Sequence, residues 1–295
     1  MRLRPAAPIK MRGSVDLENN SAPAGAGADG EPVDAALERA ANKGDASSVA
    51  RLAARGPSKR ALNMALARAA RSGSVPCVEI LLPLADPLFD NSMALRHAAE
   101  RGEHECVRIL LPTSDARAME SHALRWSARL GWARCVELLA EASDPMAEDG
   151  YALRHAAREG HGECVRILAS GPSKHHHAAA ALRLAAGNGH EDCIRALSAI
   201  AEAWWRTEPE ILRTCAERAT IGCVEALLAS VDRDGEAWGD FVDHVAASAA
   251  WVTGNLKIIP SKKRARAVAA MEAFVERATL ASAVGQARRR ARTSL

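Results

Sequence analysis

An Ala-Leu pair returns every 29 residues, at Ala36-Leu37, Ala65-Leu66, Ala94-Leu95, Ala123-Leu124, Ala152-Leu153 and Ala181-Leu182, and Ile211-Leu212 follows after 30. Seven residues past the first six leucines stands a glycine (Gly44, Gly73, Gly102, Gly131, Gly160, Gly189), with Ala219 in the seventh copy. Eleven past each leucine from the second copy on stands a cysteine (Cys77, Cys106, Cys135, Cys164, Cys193, Cys223), with Ser48 in the first. A fixed period of this length means that one supersecondary unit is copied along the chain and that no copy hides its apolar face alone.

Within the copy that runs from Ala94 to Leu111, Leu95, Ala98 and Ala99 share one face of a first helix, which Gly102 is expected to close by turning left-handed. Cys106, Val107, Ile109, Leu110 and Leu111 form a second helix that stops at Pro112. Small alanines let neighbouring helices approach closely, so the pattern predicts an all-α helical solenoid of about seven helix-turn-helix repeats.

The segment Ala152 to Leu168, reading Ala-Leu-Arg-His-Ala-Ala-Arg-Glu-Gly-His and then Glu-Cys-Val-Arg-Ile-Leu, resembles the ankyrin repeat, whose helix pair reads Leu-His-x-Ala-Ala-x-x-Gly-His and Val-x-x-Leu-Leu. Ser143-Asp144-Pro145 stands at the family's Gly-Ala-Asp-Pro turn, and the resemblance extends over about residues 33 to 235. Two departures matter. Ser92-Met93 and Gly150-Tyr151 replace the family's Thr-Pro, and Arg96, Arg125, Arg154 and Arg183 replace its His. The family's Thr–His hydrogen bonds between neighbours are therefore expected to be absent. The 29-residue unit is also shorter than the family's 33, and the shortage falls where ankyrin repeats carry their hairpin, which implies a clipped loop.

Four segments are expected. Residues 1–31, rich in Pro, Gly, Ala, Asn and Ser, read as a disordered leader. Residues 32–235 read as the repeat stack, opened by a polar first unit in which Asp34 is expected to cap the first helix. Residues 236–260 read as a degenerate capping repeat, with Val242-Asp-His-Val-Ala-Ala matching a first helix and Ile258-Ile259-Pro260 the end of a second. Residues 261–295 read as a basic amphipathic helix and tail, its apolar face carrying Val268, Met271, Phe274, Val275 and Ala278. That last segment has nine Lys or Arg against two Glu, a balance of +7, so the rest of a chain of net charge +3 carries about −4.

The chain has no apolar run long enough for a membrane span and no signal-peptide core at Met1-Arg-Leu-Arg-Pro. The cysteines occupy equivalent places in successive units, about 8–10 Å apart by helix packing, beyond the reach of a disulfide. They read as small core residues of a protein in a reducing, cytoplasmic compartment.

Motifs for catalysis or a cofactor are missing: Gly56-Pro-Ser-Lys59 lacks the rest of a phosphate loop, His175-His176-His177 lacks further ligands, and Asp232 and Asp234 meet Phe241 where a calcium loop needs Glu. No enzyme, cofactor or metal site is expected. What varies between copies is the residue after the common arginine (His97, Trp126, His155) and the residue after the glycine (Trp132 among them). A fixed framework with free positions suits a scaffold that displays side chains. Arg96, His97, Arg125, Trp126, Trp132, Arg154, His155 and Arg183 are the candidate contacts, since Trp and Arg dominate binding hot spots.

The resemblance implies a monomeric, non-catalytic protein-interaction scaffold that holds a partner protein along a concave face. In bacteria such stacks include interaction proteins and host-directed effectors, so secretion into a host cell stands beside a cytoplasmic location. The alternative is association with nucleic acid or an acidic surface through Lys262-Lys-Arg-Ala-Arg266 and Arg288-Arg-Arg-Ala-Arg292.

Overall fold

The computed structural model describes residues 32–170, 177–198, 200, 206, 210–218, 220–230, 238–255 and 262–293, with the backbone alone for 255, 263 and 281–293. The leader at 1–31, His175, His176 and the basic side chains of 288–292 lie outside the described residues.

Seven helix pairs follow one another: α1 (Val33–Lys43) with α2 (Ala46–Ala53), α3 (Lys59–Arg71) with α4 (Val75–Leu81), α5 (Phe89–Arg101) with α6 (His104–Leu110), α7 (Ala118–Leu130) with α8 (Ala133–Leu139), α9 (Ala147–Glu159) with α10 (Gly162–Ser170), α11 (Ala178–Asn188) with α12 (Glu191–Ser198), and α13 (Ile211–Glu217) with α14 (Ile221–Ala229). Each first helix packs on the first helix of the next pair and each second helix on the next second helix, giving two layers of a solenoid. The repeated Leu of the first helix is buried in every unit, and the Cys, Val and Leu of the second helix fill the seam behind it. All seven cysteines are buried and free.

Two further helices follow, α15 (Trp238–Asn255) and α16 (Lys262–Thr293). No glycine stands at Ala249, the place of Gly102, so α15 runs on unbroken to Asn255. Its row is that of the first helices, since it packs on α13, whereas α16 packs on α14 and so continues the second row. Ile258-Ile259-Pro260, expected to end a short second helix, lie outside the described residues, as do all of 256–261. Trp238, Phe241 and Phe274 form an edge-on aromatic cluster between α15 and α16, with centroids 5.5–6.1 Å apart.

Where a clipped loop was expected, three units carry a left-handed turn. Asp90, Asn91 and Ser92 have φ of 46°, 54° and 56°, and Met119–Ser121 and Glu148–Gly150 repeat the conformation. For residues with a Cβ this costs roughly 1–2 kcal/mol each, and side-chain bonds offset it. The Asp115 N–H donates to Ser92 Oγ and the Asp144 N–H to Ser121 Oγ, both at 2.8 Å, while the Asp86 N–H donates to Asn63 Oδ1 at the same distance. This ladder stands in for the family's missing Thr–His network.

Asp34 does not cap α1. The helix begins one residue earlier, at Val33, and the Asp34 carboxylate instead accepts from the Ser58 N–H (2.9 Å) and hydroxyl (2.7 Å), tying unit one to unit two.

Candidate interaction face

The arginines in the place of the family's His turn back on their own chain. Arg125 donates through Nε to the Glu120 carbonyl (2.8 Å) and through Nη2 to that of Met119 (2.9 Å), and its Nη1 lies 2.6 Å from Glu148 Oε1. Arg96 clamps Asn91 and Asp90 in the same manner, at 3.0 and 2.8 Å, and Arg154 reaches the Glu148 carbonyl at 3.0 Å. Each guanidinium donates to carbonyls of the left-handed turn that precedes it. Arg183 is exposed on α11, and the corresponding turn lies outside the described residues.

Trp132 sits apart from the other candidates, between successive helix ends. Its indole N–H donates to the Glu100 carbonyl (3.1 Å), and a Cβ on Gly102 would lie 2.5 Å from its ring. His161 Nε2 bonds the Arg129 carbonyl (3.0 Å) and His190 Nε2 the Arg158 carbonyl (2.9 Å), with Gly131 and Gly160 equally close beneath the rings. In these bonds Nε2 carries the proton. The glycines are held at φ of 79°, 82° and 87°, so they serve two purposes at once: closing a helix and making room for a ring.

His97, Trp126 and His155 line up in one row across successive units. They lie on the first-helix layer, half-buried, and helical spacing brings residues absent from the sequence candidates between them. His122, four residues before Trp126, approaches its ring (5.6 Å between centroids), and Arg129, three after, lies over it at 4.7 Å. Arg129 Nη1 reaches the Tyr151 hydroxyl (3.4 Å), and His155 stacks on Tyr151 at 3.8 Å. His122 Nδ1 is 3.7 Å from Glu100 Oε1, and the charges of Arg71 and Glu100 reach His97. The result is one continuous strip across units two to five: Arg71, His97, Glu100, His122, Trp126, Arg129, Tyr151, His155 and Arg158.

Burial pushes the His97, His122 and His155 imidazoles below their ordinary range, and neighbouring arginines add to the shift. All three are therefore neutral at pH 7. The Nδ1 atoms of His122 and His155 are covered and make no hydrogen bond among the described residues. The strip holds cations and rings but no assembly of nucleophile and base, and no group of three or more metal-ligating side chains occurs among the described residues.

None of the described helices is long and apolar enough to cross a membrane. A protein-family model described as ankyrin repeats matches the chain in three overlapping copies, over residues 37–120, 95–178 and 124–204. No curated protein matches the chain.

Proposed function

Since this chain belongs to the ankyrin-repeat family, matched over residues 37–204, and such repeats are generally protein–protein interaction modules, we propose that it is a non-catalytic scaffold holding a partner protein on its first-helix layer. The observation that carries the reading is the Trp126 strip. An indole, a phenol, three imidazoles and three guanidiniums form one surface that α3, α5, α7 and α9 keep in fixed register, the composition and rigidity of a binding hot spot. Within it Trp126, His97 and His155 are contact residues, joined by Arg129, His122 and Tyr151. Arg96, Arg125 and Arg154 support the turns beneath. The polar first unit and the α15–α16 pair serve as the two ends of a monomeric stack, and the buried thiols suit a reducing compartment, the cytoplasm or that of a host cell.

Affinity capture on the full chain, compared with a Trp126→Ala/Arg129→Ala variant that retains its melting temperature, tests this reading. Loss of the captured proteins in the variant is expected. An unchanged set removes this face.

A second reading assigns nucleic-acid or acidic-surface binding to residues 261–295, on the strength of their +7 balance within one long helix. A salt-titrated gel shift with and without residues 286–295 decides it: no shift at low salt removes it.

A further inference from the structure

On the reading of the strip as the protein-binding face, we propose that the segment it holds is acidic, an extended polypeptide whose carboxylates lie against Arg71, Arg129 and Arg158 on either side of Trp126. The distribution of counter-charges carries this. On the second helices α6, α8 and α10 the cation is matched one turn away, in Arg108–Glu105, Arg134–Glu137 and Arg166–Glu163. On the first helices Arg96, Arg125 and Arg154 face Asp90, Glu148 and Asp149 as well as the turn carbonyls. Arg71 and Arg129 form no ion pair among the described residues, and Arg158 meets only Glu159, at 3.8 Å on the surface. Glu100, the carboxylate within the strip, is directed at His122. Cations left without counter-charge beside half-buried rings favour an anionic partner and set its register.

The same geometry favours polypeptide over single-stranded nucleic acid. Bases need open ring faces to stack on, whereas His155 already stacks on Tyr151 and Arg129 already lies over Trp126. Glu100 also interrupts the run of positive charge that a continuous phosphate backbone needs.

The histidines make recognition pH-dependent. His97 is faced by Glu100, Arg96, Arg71 and the Ala67 backbone, His122 by Glu100, Arg96, Arg125 and His97, and His155 by Arg129, Arg158, Arg154 and Glu159. Burial, with the neighbouring arginines adding to it, makes the free face resist protonation, and Glu100 opposes this at His97 and His122. Incoming carboxylates reverse that balance, each bound complex takes up protons, and binding tightens as pH falls.

The test is fluorescence anisotropy of the full chain with three labelled probes: an extended sixteen-residue peptide with Glu at alternate positions, its Gln counterpart, and a sixteen-nucleotide oligothymidylate. Saturable binding of the Glu peptide alone is expected, tightening by about threefold or more between pH 7.5 and 6.0. Arg71→Ala/Arg129→Ala should weaken it at least about tenfold with the melting temperature retained. Arg129→Glu should shift preference toward a Lys counterpart of the peptide. No saturable binding of the Glu peptide up to about 1 mM overturns the proposal. So does equal binding of the Gln peptide, which leaves the face reading intact when Trp126→Ala abolishes both. Tighter binding of the oligothymidylate through the same arginines overturns it in favour of nucleic acid.

Discussion

The indole N–H of Trp132 donates to the carbonyl of Glu100, 32 residues earlier and 3.1 Å away, and its ring fills the space where a side chain on Gly102 would go. A glycine of one unit and a ring of the next therefore form a single joint. Gly102→Ala should lower stability by about 2–4 kcal/mol, from the left-handed φ together with the overlap. Gly187→Ala, inside α11 with nothing within 4 Å of an added Cβ, should change stability by no more than about 1 kcal/mol, in the stabilising direction. Urea denaturation of both variants checks the contrast, and Trp132→Ala should recover part of the Gly102→Ala loss.

Arg125 and Arg129 lie one helical turn apart and separate stability from recognition. Arg125 is buried and its three bonds need a planar fork, so both Arg125→Ala and Arg125→Lys should cost about 3 kcal/mol. Arg129→Ala should cost about 1 kcal/mol or less, because only the Trp126 and Tyr151 contacts go. Thermal melts beside partner binding distinguish them, with Arg129→Ala the variant that loses binding.

Ser121 combines a left-handed φ of 57° with a bond from the Asp144 N–H. Ser121→Ala keeps the strain and removes the partner of a part-buried N–H, for a loss of about 1 kcal/mol. Ser121→Gly loses the same bond but relieves the strain and should melt above the Ala variant, an order that loss of the hydrogen bond alone does not produce.

Burial depresses the pKa values of His97, His122, His155 and His244 below the ordinary 6.5. Below about pH 6.5 the unfolded chain then binds more protons than the folded one, so stability rises with pH through this window and falls as pH drops. Denaturation midpoints should decrease from pH 7.5 to about 5.5, and His97→Gln should flatten the slope.

Burial also raises the thiols: Cys106 and Cys164 to about 11, Cys135 and Cys193 to about 12. Cys223 is the exception, lowered to about 7 because the neighbouring Cys215 thiol bonds to its sulfur. All seven cysteines are nevertheless buried, so native-state labelling with a thiol reagent should modify them only as their units open. Peptide mapping after timed quenching reads the order.

The helix pairs, their glycine closures and the buried Leu and Cys columns were legible in the sequence because each depends on spacing within one unit. The left-handed turns were not. Of nine residues that form them only Gly150 calls for positive φ outright, while Asp90, Asn91 and Asp149 merely tolerate it, too weak a signal to place the carbonyls of 90–92 within reach of Arg96. Arg125 accordingly reads as a display residue in sequence and as a brace in the structure. The bond of Trp132 was not legible for the same reason: its target, Glu100, belongs to the unit before. His122, Arg129 and Tyr151 were missed although three- and four-residue spacing from Trp126, and from His155, would have found them on the same helical face.

The ring-on-glycine joint runs in one direction, with the donor always supplied by the later unit. During synthesis the Glu100 carbonyl therefore remains open until Trp132 has been added, a delay of a few seconds at roughly 5–20 residues per second. Maturation of such a chain proceeds as a travelling front: every newborn unit completes its elder and then waits, still open at its leading edge, for the one behind it.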